Sequence, residues 1–339
     1  MARVYDLNRS LALTAWVQKT LGHEDFALSL ASSDASFRRY FRVSLSNATL
    51  IVMDAPPDYE DCAPYVKVAQ LFLAAGVNVP EIFAHDLHQG FILMSDLGPT
   101  TYLDALHARN ADDMYESAID ALIKIQLASR SNVLPPYDHG PLMREMELFP
   151  DWYIARHLKT TLSEAQERSF REVFELIQRN ALAQGQVYVH RDYHSRNLMQ
   201  TSPNPGILDF QDALFGPVTY DLVSLFKDAY ISWEEQRIRA WCELYWKKAQ
   251  AARLPVPTEF DVFYRDLEWM GVQRHLKVLG IFARLFHRDG KAGYLKDMPL
   301  VMSYLRAACA RYKELHQLLA LLDEMSDLVP QAAVRIMPS

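Results

Sequence analysis

Cysteine is scarce in this chain. Three occur among 339 residues, Cys62, Cys242 and Cys309, and they stand far apart. Such spacing supports neither a disulfide framework nor a zinc site, and it suits a reducing cytoplasm. Positive charge is also short. Against 42 Asp and Glu there are 35 Lys and Arg, a net charge of −7, so no basic footprint for nucleic acid is present. No apolar run reaches the length that spans a bilayer. The first residues, Met1-Ala2-Arg3-Val4-Tyr5-Asp6, lack the apolar core of a signal peptide. A membrane partner is therefore not expected, and a cytoplasmic location is. Internal repeats and low-complexity segments are absent. What remains is ordinary globular composition, half hydrophobic and 23% charged, in a chain long enough for a large core and two lobes.

One stretch, residues 186 to 213, carries the chemistry. A β-rich run, Val187 to Val189, leads into His190, Arg191 and Asp192. Asn197 follows Asp192 by five positions. After the turn-forming Ser202-Pro203-Asn204-Pro205-Gly206, a second apolar run, Ile207-Leu208, ends at Asp209. Two short strands joined by a loop are expected to bring Asp192, Asn197 and Asp209 to one end of a hairpin. A carboxylate free of metal, Asp192, can orient a hydroxyl and take its proton. The Asn197 amide oxygen and the Asp209 carboxylate are hard ligands of the kind Mg²⁺ prefers. Mg²⁺ in turn bridges nucleotide phosphates during phosphoryl transfer. His-x-Asp with Asn at this spacing, followed by an apolar-Asp-Phe, pairs the catalytic and metal loops of the kinase fold. His190 is expected to be structural.

The flanking pattern agrees with an α+β, protein-kinase-like bilobal fold. Asn8 to Leu21 reads as an amphipathic helix, and Phe26–Leu30, Tyr40–Leu45 and Thr49–Met53 as strands. Small residues between the first two strands, Ser33, Asp34, Ala35 and Ser36, would let backbone N–H groups approach a phosphate. Asp61 to Ala75 reads as a helix, and two further strands end in Ser95-Asp96-Leu97, a hinge that can offer a carbonyl and an N–H to the edge of an adenine. Beyond Gly98 the apolar spacing is helical through 101–108, 112–127, 163–183, 221–226, 234–250, 260–286 and 299–325. Residues 1–97 are expected to form a nucleotide-binding lobe and 98–339 a helical lobe with the catalytic hairpin and substrate site. Trp152, Tyr153 and Tyr193 could stack on a sugar ring or fill the core. Glu145, Glu147 and Arg156 could bond hydroxyls or line a solvated helix face. His194 and Arg196 lie inside the catalytic loop. Arg274, His275 and Lys277 form a basic cluster that either faces an acidic substrate or is surface charge.

This combination resembles the aminoglycoside-phosphotransferase and choline-kinase family, kinases of small molecules. Asp209 is followed by Phe210-Gln211-Asp212 rather than Phe-Gly, and no Ala-Pro-Glu occurs; both speak against a protein substrate. The turn from Gly216 to Asp221 is similar to one whose aspartate braces the catalytic loop in that family, which implies a structural role for Asp221. Ser33–Arg42, Ile51–Pro57, Glu147–Tyr153 and Leu276–Leu285 further resemble the amino-sugar kinases that phosphorylate the anomeric hydroxyl of N-acetylmuramate and N-acetylglucosamine in peptidoglycan recycling. That resemblance implies ATP, Mg²⁺ and a small amino-sugar substrate. Another small alcohol, such as an aminoglycoside, choline or a different sugar, and an inactive nucleotide-binding module are the alternatives. The family's third-strand Lys or Arg is replaced here by Met53, and the carboxylate nearest its usual partner's place is Glu60, at the start of the next helix. Arg38, Arg39 and Arg42 are the candidate substitutes, with Arg42 favoured as nucleotide-binding because it lies nearer the middle of the sheet.

Overall fold

The structure is a computed structural model that describes residues 7–33 and 37–327. The proposed phosphate-cradle residues Asp34, Ala35 and Ser36 lie outside the described residues; Ser33 ends the first strand. The chain divides into two compact units. One takes the residues up to Ala105 together with Asn197–Asp212; the other takes Leu106–Arg196 and the residues from Ala213 onward. Residues 98–105 and 197–212, which the sequence reading assigned to the C-terminal lobe, therefore pack with the strands.

The first unit is built on five antiparallel strands in the order β1-β2-β3-β5-β4: β1 (Ala27–Ser33), β2 (Arg39–Ser44), β3 (Thr49–Asp54), β4 (Ile82–Asp86) and β5 (Phe91–Ser95). Alternation sends Val43, Val52, Phe91 and Leu93 to one face, where Leu13 and Val17 of helix α1 (Leu7–Leu21) cover them. Helix α2 (Ala63–Ala74) has Pro64 in its first turn, where a missing N–H costs nothing. Its Tyr65 and Phe72 rings pack on Phe210, at centroid distances of 4.8 and 5.8 Å. A short helix α3 (Tyr102–Ala105) follows. Strand β7 (Leu198–Met199) pairs with β8 (Gly206–Ile207), so the loop carrying Asn197 and Asp209 folds on itself.

The second unit is mostly helical. Helix α4 (Ala111–Leu127) precedes α5 (His139–Leu148), which runs on as a π-helical segment, Phe149–His157. Asp138 caps α5 by accepting the Gly140 N–H at 3.1 Å. Helix α6 (Glu164–Ala183) opens on a capping box between Ser163 and Gln166. Strand β6 (Gln186–Val189) pairs with β9 (Leu214–Pro217), after which come α7 (Tyr220–Phe226), α8 (Glu235–Ala251), α9 (Phe260–Asp289), α10 (Met298–Arg311) and α11 (His316–Asp327). The expected hairpin is thus corrected: β6 joins β9, not the apolar run before Asp209. The 30-residue α9 is the axis of this unit and is buried on most of its circumference, with polar side chains such as Glu268, Gln273 and Lys277 enclosed among the apolar ones. It buries Leu276, Leu279 and Phe282 against Met146 and Phe149, Phe170 and Phe174, and Val301 and Leu305. Among the described residues no helix is long and apolar enough to cross a membrane.

Candidate active site

In the helical unit, β6 delivers the loop that carries Asp192. Arg191 takes φ of 78°, a left-handed conformation uncommon outside glycine. Asp221, at the start of α7, holds that turn: its carboxylate accepts the His190 N–H at 2.7 Å and the Arg191 N–H at 2.9 Å. Burial pushes the Asp221 carboxyl up to about 7, against the pull of those two donors and of Arg274. The fully buried His190 ring closes the loop, its Nδ1 accepting the Asp192 N–H at 3.2 Å. The Asp192 carboxyl lies well below the ordinary range. Burial opposes its ionisation, but Lys277, His194, Arg274 and Arg191 together outweigh it. It is therefore an anion near neutral pH, suited to orienting a hydroxyl more than to abstracting its proton by base strength.

Two of the cations around Asp192 are themselves held. Glu145 forms ion pairs with Arg191 and with Lys277, the latter at 3.2 Å. The same carboxylate accepts from the Tyr137 hydroxyl and, at 3.1 Å, from the Gln273 amide. Glu145 is thus buried and served by protein donors, which corrects its expected contact with substrate: it positions the base of the loop. Tyr193 is fully buried, with its hydroxyl donated to the Ala118 carbonyl at 2.8 Å. Tyr153 stacks on Phe149 at 4.9 Å and belongs to the packing of the π-helical segment. Trp152 borders a separate groove with Arg156, Lys159 and His287, and Glu147 is on the exposed side of α5.

His194 and Arg196 belong to a cluster of polar and aromatic side chains. The buried Nδ1 of His194 has no partner, and its ring meets Tyr230 edge-on at 5.5 Å. Arg196 lies 3.5 Å above the Tyr230 ring. Asp228 accepts the Ser195 N–H at 3.0 Å and its hydroxyl at 2.5 Å, which fixes the loop between them. Asp297 Oδ2 is buried without a partner, and Arg196 and Asp228 both act on its charge. Asp228, Tyr230 and Asp297 escaped sequence reasoning because they belong to no motif; tertiary folding alone gathers them.

Asn197 and Asp209 sit in the strand unit. Leu208 N–H donates to the Asn197 carbonyl at 2.9 Å, and the Asn197 amide donates to Asp209 at 3.4 Å. Asp209 has φ of 60°, a conformation held by its surroundings, including the burial of Phe210 next to it. Among the described residues no three His, Cys, Asp or Glu converge as a metal cage. Mg²⁺ does not need one, since it is commonly held by one or two carboxylates with waters and substrate phosphates. An amide beside a carboxylate fits that mode.

Three arginines of the strand unit are separated by what they touch. Arg39 bonds its cross-strand partner Asp54, which Arg9 also contacts. Arg42 forms a bidentate pair with Asp96, at 2.6 and 3.2 Å. Asp96 additionally accepts the Gly98 N–H at 2.9 Å, so its side chain braces the hinge. Ser95 exchanges hydrogen bonds with Glu81, and the Leu97 side chain packs by Gly206. Arg38 pairs with Glu60 at 3.8 Å, and its guanidinium is acted on by the charges of Asp209 and Asp212. The donors of Arg42 serve Asp96, whereas Arg38 is the arginine on which the charges of Asp209 and Asp212 act.

The ionised aspartate on a braced loop in one unit, and the paired amide and carboxylate in the other, are groups of the kind that a phosphotransferase of the kinase-like class uses. The chain belongs to the phosphotransferase enzyme family, which it matches over residues 27–254. Within that family it is similar to the N-acetylmuramate/N-acetylglucosamine kinase of Pseudomonas aeruginosa, with 55% identity over 303 residues, 89% of this chain and 88% of that protein. The enzyme of the same name from Pseudomonas putida is 50% identical over 319 residues, 94% of this chain and 93% of that one. In fold it is similar to a choline kinase from Streptococcus pneumoniae, with a TM-score of 0.64 at 11% identity over 88% of this chain and 99% of that one.

Proposed function

We propose that this protein uses ATP and Mg²⁺ to phosphorylate the anomeric hydroxyl of N-acetylmuramate and N-acetylglucosamine, a reaction of peptidoglycan recycling in the cytoplasm. The observation that carries this reading is identity of half or more, over about nine-tenths of the chain, to two kinases named for these sugars. The site gives it physical sense. An anomeric hydroxyl is more acidic than an ordinary alcohol, so it suits a carboxylate of low basicity such as Asp192. Asp192 orients that hydroxyl and accepts its proton as its oxygen bonds to the γ-phosphorus of ATP and the bond from that phosphorus to the bridging oxygen breaks, releasing ADP. His194, Arg196, Tyr230 and Asp297 supply polar groups and an aromatic face for a sugar. Asn197 and Asp209 would hold Mg²⁺, which when bound neutralises phosphate charge. Arg38, tethered by Glu60, adds the cation that Met53 cannot. An inactive module loses its motive once a substitute cation stands beside Asp209.

The test is a coupled ATP assay with both sugars, followed by phosphorus NMR of the product. An anomeric phosphate from each is expected. Phosphate on the primary hydroxyl would refute the acceptor atom, and no turnover with either sugar would refute the substrate class. Glucose should react poorly, because pocket groups that pair with the acetamido group would be left unpaired.

A further inference from the structure

Arg274, His275 and Lys277 lie within one turn of α9, and the structure tells them apart. Lys277 is taken: its ammonium pairs with Glu145 at 3.2 Å and donates to the Tyr220 hydroxyl at 3.0 Å. His275 is stacked on Tyr304 at 5.4 Å, and burial, with Lys227 and Arg274 nearby, pushes its imidazole down to about 3, so it carries no charge. Arg274 differs from both. It is only 5% exposed, yet among the described residues its side chain makes no hydrogen bond and no ion pair. What it meets is the face of Tyr220, 5.9 Å away, and through space the charges of Asp192 and Asp228. The guanidinium has five donors and no protein acceptor. None of its nitrogens is among the fully buried unpartnered atoms, so they open to solvent, where an anion can reach them. The group is electrostatically coupled to Asp192, which handles the reacting hydroxyl, and to His194, whose Nδ1 is unpartnered.

We propose that Arg274 receives the carboxylate of the lactyl ether of N-acetylmuramate, and so lets one site accept that acid as well as the neutral N-acetylglucosamine. The inference rests on the function proposed above. A guanidinium meets a carboxylate with two parallel hydrogen bonds, a geometry that an ammonium cannot copy. With N-acetylglucosamine the lactyl position is empty, and water serves the guanidinium. Arg196 is the other cation of this pocket. It is less buried and its face already rests on Tyr230, so it has less need of an anion.

The experiment measures kcat/KM for N-acetylmuramate, for its carboxamide, and for N-acetylglucosamine, in wild type and in Arg274→Gln, Arg274→Lys and Arg196→Gln. Wild type should prefer the acid to the carboxamide. Arg274→Gln should lose roughly thirtyfold to a hundredfold more on the acid than on N-acetylglucosamine, about the worth of a charged hydrogen bond, the smaller loss on the neutral sugar reporting the charge withdrawn from Asp192. Arg274→Gln should also cease to distinguish acid from carboxamide, a signature that misfolding cannot produce. Arg274→Lys, which retains the charge, should keep part of the preference. Equal loss on all three acceptors in both Arg274 variants would overturn the proposal and assign Arg274 to phosphoryl transfer or to structure. A loss confined to the acid in Arg196→Gln, with none in Arg274→Gln, would overturn it in favour of Arg196. Wild-type turnover of neither sugar would remove the functional reading itself, and this proposal with it.

Discussion

The guanidinium of Arg38 stands 3.8 Å from the carboxylate of Glu60, which also accepts the Phe37 N–H at 3.2 Å. Met53, where a third-strand lysine was looked for, is fully buried. On the function proposed above, the pair would stand in for the missing lysine and its carboxylate partner from the edge of the neighbouring strand. Arg38→Ala should therefore cut turnover by about a hundredfold and raise KM for ATP, because a cation that positions phosphates is worth a few kcal/mol in the transition state. KM for the sugar should be unaltered. Arg42→Ala should instead show chiefly as a lower melting temperature, since its donors go to Asp96. ATP kinetics at the wild-type level in Arg38→Ala would place the cation elsewhere.

Asp209 and Asp192 should fail in different ways. Asp209→Ala removes the anionic member of the Asn197 pair, and calorimetry should find Mg²⁺-dependent nucleotide binding abolished. Asp192→Asn leaves that pair untouched, so nucleotide binding should survive while turnover drops by about a hundredfold or more. Unchanged Mg·ATP binding in the first variant, or near-normal turnover in the second, contradicts the roles given to them.

The sheet and most helices were legible because their signals are local. Alternation from Tyr40 to Leu45 and helical spacing from residue 260 to 286 need only one segment to be read. The segment 139–157 was not legible as helix: Gly140, Pro141 and Pro150 obscure its period, and its π-helical half has no simple spacing signature. Asp192, Asn197 and Asp209 stand out in the sequence because chemistry fixes their types and intervals. What sequence could not supply was partnership. Glu145 and Lys277 looked like separate polar groups available to a substrate and are bonded to each other. Arg38 and Arg42 share a strand phase, and only their contacts, Glu60 for one and Asp96 for the other, tell them apart.

Gly280 marks a close approach between α9 and the end of α5. A Cβ built there would lie 2.4 Å from the Leu148 carbonyl carbon and oxygen, and main-chain atoms at a helix crossing cannot swing aside. Gly280→Ala should consequently destabilise the protein by about 1–3 kcal/mol, the usual cost of overpacking, despite alanine's better helix propensity. A melting temperature equal to or above that of wild type would show that the crossing can open.

Glu145 links stability to acid. Burial opposes its ionisation, yet Lys277, Arg191, Tyr137 and Gln273 hold its carboxyl below the ordinary glutamate range. A carboxyl depressed in the folded state contributes stability that is fully present above its unfolded pKa of about 4.3, and loses it as pH falls through the folded value. The protein should accordingly weaken below roughly pH 4.3. In Glu145→Gln the group no longer titrates, so the fall of stability with acid should be shallower by one proton's worth. At pH 7 the variant leaves Lys277 and Arg191 buried without their anion, an uncompensated burial that costs about 3 kcal/mol or more. Because Arg191 lies in the loop carrying Asp192, turnover should also fall, by about tenfold if the loop shifts on the scale that disturbs positioning. Denaturant titrations of both proteins at pH 7 and at pH 4 separate these effects. Parallel stability curves for wild type and Glu145→Gln across that interval would mean that Glu145 is not the ionised anchor of this site.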